Sequence, residues 1–239
     1  MNIAVIFAGG SGTRMKTKDK PKQFLMVHGK PIIVHTIEQF QYHDEIDGII
    51  VVCIEGWIPY MEEMKYRYRL DKIKKIVPGG KTGQLSIYNG LCAAEEVFGV
   101  EKNIVLIHDG VRPLINKNII SKNIDSVKKH GSAITCKLAT ETSVLVSDEG
   151  KVNDIPDRSS SRLAQAPQSF WLKEILEVDR KAINDGNINM IDSCTMMRQY
   201  GKELSVVVGP SENVKITTPN DFYMFRALYD ARENQQLDF

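Results

Sequence analysis

A glycine-rich stretch with two cationic residues directly follows the first apolar run of the chain. Residues 8–15 (AGGSGTRM) come after the predicted strand at residues 3–7, and Lys22 stands in a PKQF cluster at residues 21–24. Glycines allow backbone amides to approach a polyphosphate closely, and the side chains of Arg14 and Lys22 can balance its negative charge. The spacing therefore predicts a nucleoside triphosphate site near the beginning of the chain.

Three other interpretations of the glycine-rich segments each require particular residues. A dinucleotide site needs GxGxxG at a helix start; the third glycine is missing here, although Glu55 after the second strand is in its favour. Residues 79–82 (GGKT) end like a P-loop, but Lys75 stands where the first glycine of GxxxxGKS/T belongs, which excludes that motif. A simple strand-to-helix turn explains the glycines but not the cations. We favour the triphosphate site, with a nicotinamide site and a plain turn as alternatives.

A second group of polar residues follows another apolar strand, at residues 108–113 (HDGVRP). Ligands gather at the carboxyl ends of strands in open α/β sheets, so this loop and the glycine-rich loop should border one crevice. Asp109 beside phosphates is a natural ligand for Mg²⁺, which keeps several waters and needs few carboxylates. The alternative for Asp109 is a turn or capping role, and we interpret His108 as a structural residue.

Strands alternate with helices along most of the chain, which is typical of a largely parallel sheet covered by helices on both faces. We therefore predict a Rossmann-like, three-layer α/β/α fold and a single domain over residues 1–239. Residues 137–157 break this rhythm and predict a β-hairpin arm that turns near residues 148–150. The predicted strands are residues 3–7, 48–54, 74–77, 103–107, 132–136 and 204–208, and the predicted helices are residues 31–41, 84–98, 116–129, 171–184 and 192–200 and one that follows Thr218.

The composition excludes several classes of partner. The chain has 239 residues, with 31 Lys and Arg against 30 Asp and Glu, so no overall field attracts nucleic acid or an anionic membrane. No apolar run has the length of a membrane span, and the first residues already predict a strand instead of a leader. The four cysteines lack metal-ligand spacing and are expected to be free thiols, so we expect a cytoplasmic protein.

Five motifs stand in order along the chain: residues 8–15, 21–24, 108–113, 166–170 (APQSF) and 213–217 (NVKIT). Together they resemble the cytidylyltransferases of the IspD and TarI type. One branch of this family makes CDP-methylerythritol for isoprenoids and usually carries HDAARP and TDE motifs. The other makes CDP-ribitol for teichoic acids and capsules. This chain is more similar to the second branch in its HDGVRP motif, in residues 192–195 (DSCT) and in residues 225–232 (FRALYDAR), although Ile191 departs from the Thr expected there.

The resemblance implies a reaction. CMP passes from CTP to D-ribitol 5-phosphate, pyrophosphate is released, and Mg²⁺ is the cofactor; 2-C-methyl-D-erythritol 4-phosphate is the alternative acceptor. It also implies a homodimer in which the arm is exchanged across the interface. Outside the family, a nicotinamide-dependent polyol phosphate reductase and a non-enzymatic nucleotide-binding module are the alternative functions.

The resemblance also implies roles for individual residues. The catalytic cations that it implies are Arg14, Lys22 and Lys215. The nucleotide-binding residues, which include the cytosine pocket, are Ala8, Gly9, Gly10, Ser11, Gly12, Thr13, Gly80, Ser86 and Asp109, the last also as the metal ligand. The residues implied to bind the polyol phosphate are Arg112, Arg158, Arg162, Gln165 and Asp192, with Arg158 serving the neighbouring subunit.

Overall fold

The computed structural model describes residues 1–10, 15 and 20–234. Its strands are β1 (Asn2–Ala8), β2 (Met26–Val27), β3 (Lys30–Pro31), β4 (Gly48–Cys53), β5 (Ile73–Pro78), β6 (Ile104–Asp109), β7 (Ser132–Leu138), β8 (Leu145–Val146), β9 (Val152–Asp154), β10 (Arg162–Trp171) and β11 (Val206–Val208). Its α-helices are α1 (Ile32–Gln41), α2 (Ile58–Arg67), α3 (Gly83–Phe98), α4 (Lys117–His130), α5 (Leu172–Asn184), α6 (Ser193–Gln199) and α7 (Pro219–Asn234).

Seven of these strands form one sheet in the order β11-β7-β10-β6-β1-β4-β5. β1 lies near its centre and pairs in parallel with β4 on one side and β6 on the other. β10 is antiparallel to both of its neighbours, β6 and β7. The residues of β4 and β6 are buried throughout, as expected for parallel strands covered on both faces. The predicted fold class, a mostly parallel α/β sheet, is therefore confirmed.

Apolar side chains pack on both faces of the sheet. Because side chains alternate along a strand, Ala4 and Ile6 of β1 contact the layer formed by α1, α2 and α4, while Ile3 and Val5 contact the layer formed by α3, α5 and α6. The result is a three-layer arrangement with the sheet in the middle. No helix in the described part of the chain is both long and apolar enough to cross a bilayer.

Most predicted elements are present, but β10 and α2 were missed. β10 contains Pro167, which has no N–H for a ladder hydrogen bond, and its pairing with β7 shifts between Ala164 and Gln168, so the proline falls in a bulge. Its sequence mixes amides, serine and proline without an alternating pattern. Only Met61 and Met64 of α2 are buried, which leaves that helix without a clear apolar stripe.

The predicted arm contains an antiparallel hairpin of β8 and β9. At its turn the Gly150 amide donates to the Ser147 carbonyl over 2.9 Å, and Gly150 has a positive φ of 78°, a conformation that favours glycine. The prediction of a hairpin in this segment is therefore confirmed. The arm leaves several large apolar side chains half exposed: Leu138, Val144, Leu145, Val146, Val152 and Ile155.

Candidate active site

The carboxyl ends of β1 and β6 meet at one edge of the sheet because these strands are parallel neighbours. β10 runs in the opposite direction, so its first residues reach the same edge, where Gln168 pairs with Ile107. A cavity of about 280 Å³ opens there. The polar and charged residues that line it include Gln84, Asp109, Arg112, Gln165, Gln168, Asp179, Asp192 and Lys215.

Asp109 joins two cations at this edge. Its Oδ2 accepts from Nε of Arg112 over 2.7 Å, and its Oδ1 lies 2.5 Å from Nζ of Lys215. Burial alone would raise the pKa of the Asp109 carboxyl, but the charges and hydrogen bonds of Lys215 and Arg112 lower it to about 2. The group therefore carries one negative and two positive charges at neutral pH. The Lys215 side chain is 41% exposed, so an anion entering the cavity can reach it.

Residues 213–216 bond to side chains from three distant parts of the sequence. The Asn213 carbonyl accepts from Nη1 of Arg112 over 2.7 Å and from Nε2 of Gln165 over 3.2 Å. Three residues further on, the Ile216 carbonyl accepts from Nζ of Lys22 over 2.9 Å. Lys22 does not line the cavity, but this bond brings it beside Lys215, which does and which is far from it in the sequence.

Two glycines allow the loops after β1 and β5 to touch. A Cβ atom on Gly9 would lie 3.3 Å from Oγ of Ser86 and 3.6 Å from Cα of Gly79, so a side chain would crowd this contact. Oγ of Ser86 accepts from the Gly80 amide over 3.0 Å. Nε2 of the buried Gln23 donates to the Ala8 carbonyl over 2.6 Å, which holds the end of β1. Ala8, Gly9, Gly10, Gly80 and Ser86 are thus brought into one region.

The remaining predicted site residues divide into three groups. Arg112, Gln165 and Asp192 line the cavity, where Oδ2 of Asp192 accepts from Nε2 of Gln168 over 3.1 Å. Arg158 and Arg162 lie on the arm side and do not line it. Ser11, Gly12, Thr13 and Arg14 lie outside the described residues.

His108 is a structural residue here, as its position at the end of a buried strand predicted. It is fully buried, its Nε2 lies 3.1 Å from the Arg112 carbonyl, and its ring lies 5.1 Å from that of Phe40. Burial lowers the pKa of His108 to about 4, against the weaker opposing effect of the hydrogen bond to Arg112. The imidazole is therefore neutral at physiological pH.

Two cavity residues that the motifs did not indicate are Gln84 and Asp179. Nε2 of Gln84 donates to Oδ1 of Asp179 over 3.2 Å and to the Asn187 carbonyl over 3.0 Å, while its Oε1 accepts from the Met190 amide over 2.9 Å. Burial raises the pKa of Asp179 to about 6, although the Gln84 bond opposes this. One signal was available, because Asp179 occupies the apolar stripe of α5 beside Ile175 and Leu176.

Asp109 is a suitable ligand for a divalent cation at this edge. In the described part of the chain, no three or more His, Cys, Asp or Glu side chains cluster as a metal cage. Asp109 is ionised and has one protein donor on each oxygen, so lone pairs are left for a cation. Mg²⁺ commonly binds through one or two carboxylates, substrate phosphates and waters. The residues present fit a cation that is held mainly by a bound polyphosphate.

Comparison with known proteins identifies a consistent set of relatives. The family described as "IspD: 2-C-methyl-D-erythritol 4-phosphate cytidylyltransferase" matches residues 2–230. A ribitol-5-phosphate cytidylyltransferase of Streptococcus agalactiae serotype V is 58% identical over 237 residues, covering 99% of this chain and 98% of that protein. One from Vibrio parahaemolyticus is 53% identical with 99% of both covered.

Among the more distant relatives, some are named for the methylerythritol reaction and some for the ribitol reaction. A 2-C-methyl-D-erythritol 4-phosphate cytidylyltransferase of Clostridium acetobutylicum is 39% identical over 229 residues, covering 95% of this chain and 97% of that protein. The crystal structure of 4-diphosphocytidyl-2C-methyl-D-erythritol synthase from Anaerococcus prevotii superimposes with a TM-score of 0.82 at 26% identity, with 96% of each chain covered.

The pKa of Asp179 predicts a stability cost at neutral pH. Its folded-state pKa of about 6 exceeds the ordinary 3.8, so stability decreases as pH rises through this window. We expect Asp179→Asn, which cannot ionise, to be more stable than the wild type by up to roughly 3 kcal/mol near pH 8, and by much less near pH 4. Urea unfolding at both pH values measures this. Glu177→Gln, a change at an exposed residue of the same helix, is the control. An equal gain in the stability of Asp179→Asn at both pH values would contradict the prediction.

Proposed function

The chain belongs to the IspD (2-C-methyl-D-erythritol 4-phosphate cytidylyltransferase) family, and we propose that it transfers CMP from CTP to D-ribitol 5-phosphate, giving CDP-ribitol and pyrophosphate. We choose ribitol 5-phosphate as the acceptor because relatives that are 53% to 58% identical over 99% of this chain are named ribitol-5-phosphate cytidylyltransferase. The relative named for the methylerythritol reaction is 39% identical, so that acceptor is the second candidate.

The reaction needs no nucleophile from the protein. A phosphate oxygen of the polyol phosphate forms a bond to the α-phosphorus of CTP, the bond from that phosphorus to the β-phosphate oxygen breaks, and pyrophosphate leaves. Charge accumulates on the α-phosphate oxygens as the phosphorus becomes five-coordinate. Catalysis therefore consists of positioning the two anions and stabilising this charge.

We assign the stabilisation of charge to Lys22, Lys215 and Arg14. Of the two described members of this set, Lys215 lines the cavity and Lys22 bonds to the carbonyl of the next residue, Ile216, which supports the assignment. Asp109 stays ionised, so in our proposal it is not a proton donor but holds Arg112 and Lys215 in position. It also reduces the repulsion between these cations before an anionic substrate arrives. Arg112 and Lys215 then bind phosphate oxygens, a role suited to guanidinium and ammonium groups.

The base and the polyol are assigned to different walls of the site. We propose that the backbone around Ala8, Gly9 and Gly80, with the Ser86 hydroxyl, binds cytosine, because the loops after β1 and β5 come into close contact there. Gln165 and Asp192 are assigned to the polyol phosphate. In the described part of the chain, Oε1 of the cavity-lining Gln165 has no hydrogen-bond partner, which supports this assignment.

We propose Mg²⁺ as the cofactor, with Asp109 as its protein ligand beside the triphosphate. When bound, the ion would neutralise charge on the CTP phosphates and on the departing pyrophosphate. Asp109 suits this role because it is ionised at every physiological pH. We also place the enzyme in the cytoplasm, in agreement with its four free thiols, and its product in the synthesis of teichoic acid or capsule.

We infer a homodimer in which the arm extends to the partner's cavity. The half-exposed apolar side chains of the β8–β9 hairpin support a protein contact, since such a patch is unfavourable in water. Arg158 is exposed on the arm side and does not line the cavity of its own chain, as expected of a residue that serves the neighbouring site.

Pyrophosphate release distinguishes the candidate acceptors. Incubated with CTP and Mg²⁺, the protein should release pyrophosphate with ribitol 5-phosphate far faster than with 2-C-methyl-D-erythritol 4-phosphate. Mass spectrometry of the product should identify CDP-ribitol. A preference for methylerythritol phosphate would establish the second candidate, and no turnover with either acceptor would favour a binding module.

Replacement of Lys22 should slow the chemical step without unfolding the protein. The loss of one charge-stabilising group typically costs roughly 3 to 4 kcal/mol, so we expect Lys22→Ala to reduce kcat by about a hundredfold to a thousandfold. Steady-state pyrophosphate release measures the loss, and circular dichroism checks the fold. Lys74→Ala, an exposed lysine on β5, is the matched control and should retain its activity. Near-normal turnover of Lys22→Ala would exclude the catalytic role.

Subunit mixing tests the exchanged arm. Arg158→Ala and Lys22→Ala should each be nearly inactive, but in a mixed dimer one site receives both defects and the other receives none. An equal mixture should therefore recover roughly a quarter of wild-type activity. A mixture of Lys22→Ala with Lys215→Ala should recover none, because both lysines act within their own subunit. If native mass spectrometry verifies mixed dimers but the mixture of Arg158→Ala with Lys22→Ala recovers no activity, the shared site is contradicted.

A further inference from the structure

One carboxylate in the cavity lining, that of Asp179, has a buried oxygen without a hydrogen-bond partner among the described residues. Asp179 is 1% exposed and lines the same cavity as Asp109 and Lys215. Its Oδ1 accepts from Nε2 of Gln84 over 3.2 Å, but in the described part of the chain its Oδ2 has no hydrogen-bond partner. An unsatisfied buried acceptor is costly, and native proteins usually satisfy such groups or use them.

The fold does not need the Asp179 carboxylate to organise this region. Gln84 already holds the segment between α5 and α6, because it donates to the Asn187 carbonyl and accepts from the Met190 amide. An apolar residue at position 179 would continue the stripe of Ile175 and Leu176. The carboxylate therefore lowers the stability of the fold without an evident structural role, which points to a ligand.

The charges around the cavity define what this ligand must carry. Arg112 and Lys215 form ion pairs with Asp109, whereas no ion pair involves Asp179 among the described residues. A phosphate is attracted to the two cations and repelled by Asp179. A hydroxyl, in contrast, can donate to Oδ2 of Asp179. The walls near the carboxylate include the apolar side chains of Ile87 and Met196, which suit the carbon chain of a polyol.

We propose that Asp179, held by Gln84, accepts a hydrogen bond from the hydroxyl of the acceptor substrate at the end opposite its phosphate. This inference rests on the proposed function and makes Asp179 a specificity-determining residue for it. An unbranched pentitol phosphate supplies that hydroxyl to the carboxylate. A site that must hydrogen-bond a substrate hydroxyl discriminates strongly against an analogue without it, because the buried acceptor is then left unpaired.

Kinetics with a deoxy substrate measure this bond without any mutation. We expect wild-type kcat/KM for 1-deoxyribitol 5-phosphate, which lacks the terminal hydroxyl, to be about tenfold to a hundredfold below that for ribitol 5-phosphate. Asp179→Asn and Asp179→Leu should lose a similar factor with ribitol 5-phosphate, mainly through KM. Asp179→Leu should hardly distinguish the two acceptors. The KM for CTP should not change, and Glu177→Gln should behave as the wild type.

The outcomes separate this inference from the proposed function. If the wild type does not use ribitol 5-phosphate, the proposed function fails and this inference fails with it. If the wild type uses ribitol 5-phosphate and the 1-deoxy substrate equally well, only the role of Asp179 is overturned. A structural role predicts instead that Asp179→Leu raises the KM for CTP and weakens both acceptors equally. Unfolding curves of both variants check that the fold is intact.

Discussion

The carboxylate of Asp109 pairs with two cations, and the charge distribution of the cavity edge depends on this arrangement. Asp109 is almost fully buried, so burial alone would favour its neutral form, and Lys215 and Arg112 reverse that preference. Each cation in turn is held by a negative charge that water does not screen well. A phosphate that enters meets cations already in position, and little reorganisation is needed to bind it.

The sheet topology makes this pairing possible. Asp109 ends β6, and the reversed direction of β10 brings Gln165 and Gln168 to the same edge. A fully parallel sheet would instead place the beginning of that strand at the opposite edge. The segment around Asn213 then crosses this edge, where its carbonyl accepts from both Arg112 and Gln165. The backbone thus restrains side chains that come from three distant parts of the sequence.

The sequence predicted the parts of the molecule whose signals are local. Apolar runs located β1, β4 and β6, and Asn116 caps α4 as expected, since its side chain accepts from the Ile119 amide. β10 was missed because its register and its bulge at Pro167 depend on strands that lie far away in the sequence. Asp179 was missed because a charged residue in a helix normally indicates a solvent-facing side. Its position in the apolar stripe of α5 was the one local signal, but the cover that α3 and α6 give this stripe depends on tertiary packing.

Lys22 and Lys215 are far apart in the sequence, but Lys22 bonds to the carbonyl of Ile216, the residue after Lys215. During synthesis on the ribosome, the glycine-rich loop emerges well before Lys215 and its neighbours. An incomplete chain therefore contains the loop without the full set of cations. Assembly of this edge therefore requires synthesis to have passed residues 213–216, because the carbonyls of Asn213 and Ile216 accept from Arg112 and Lys22.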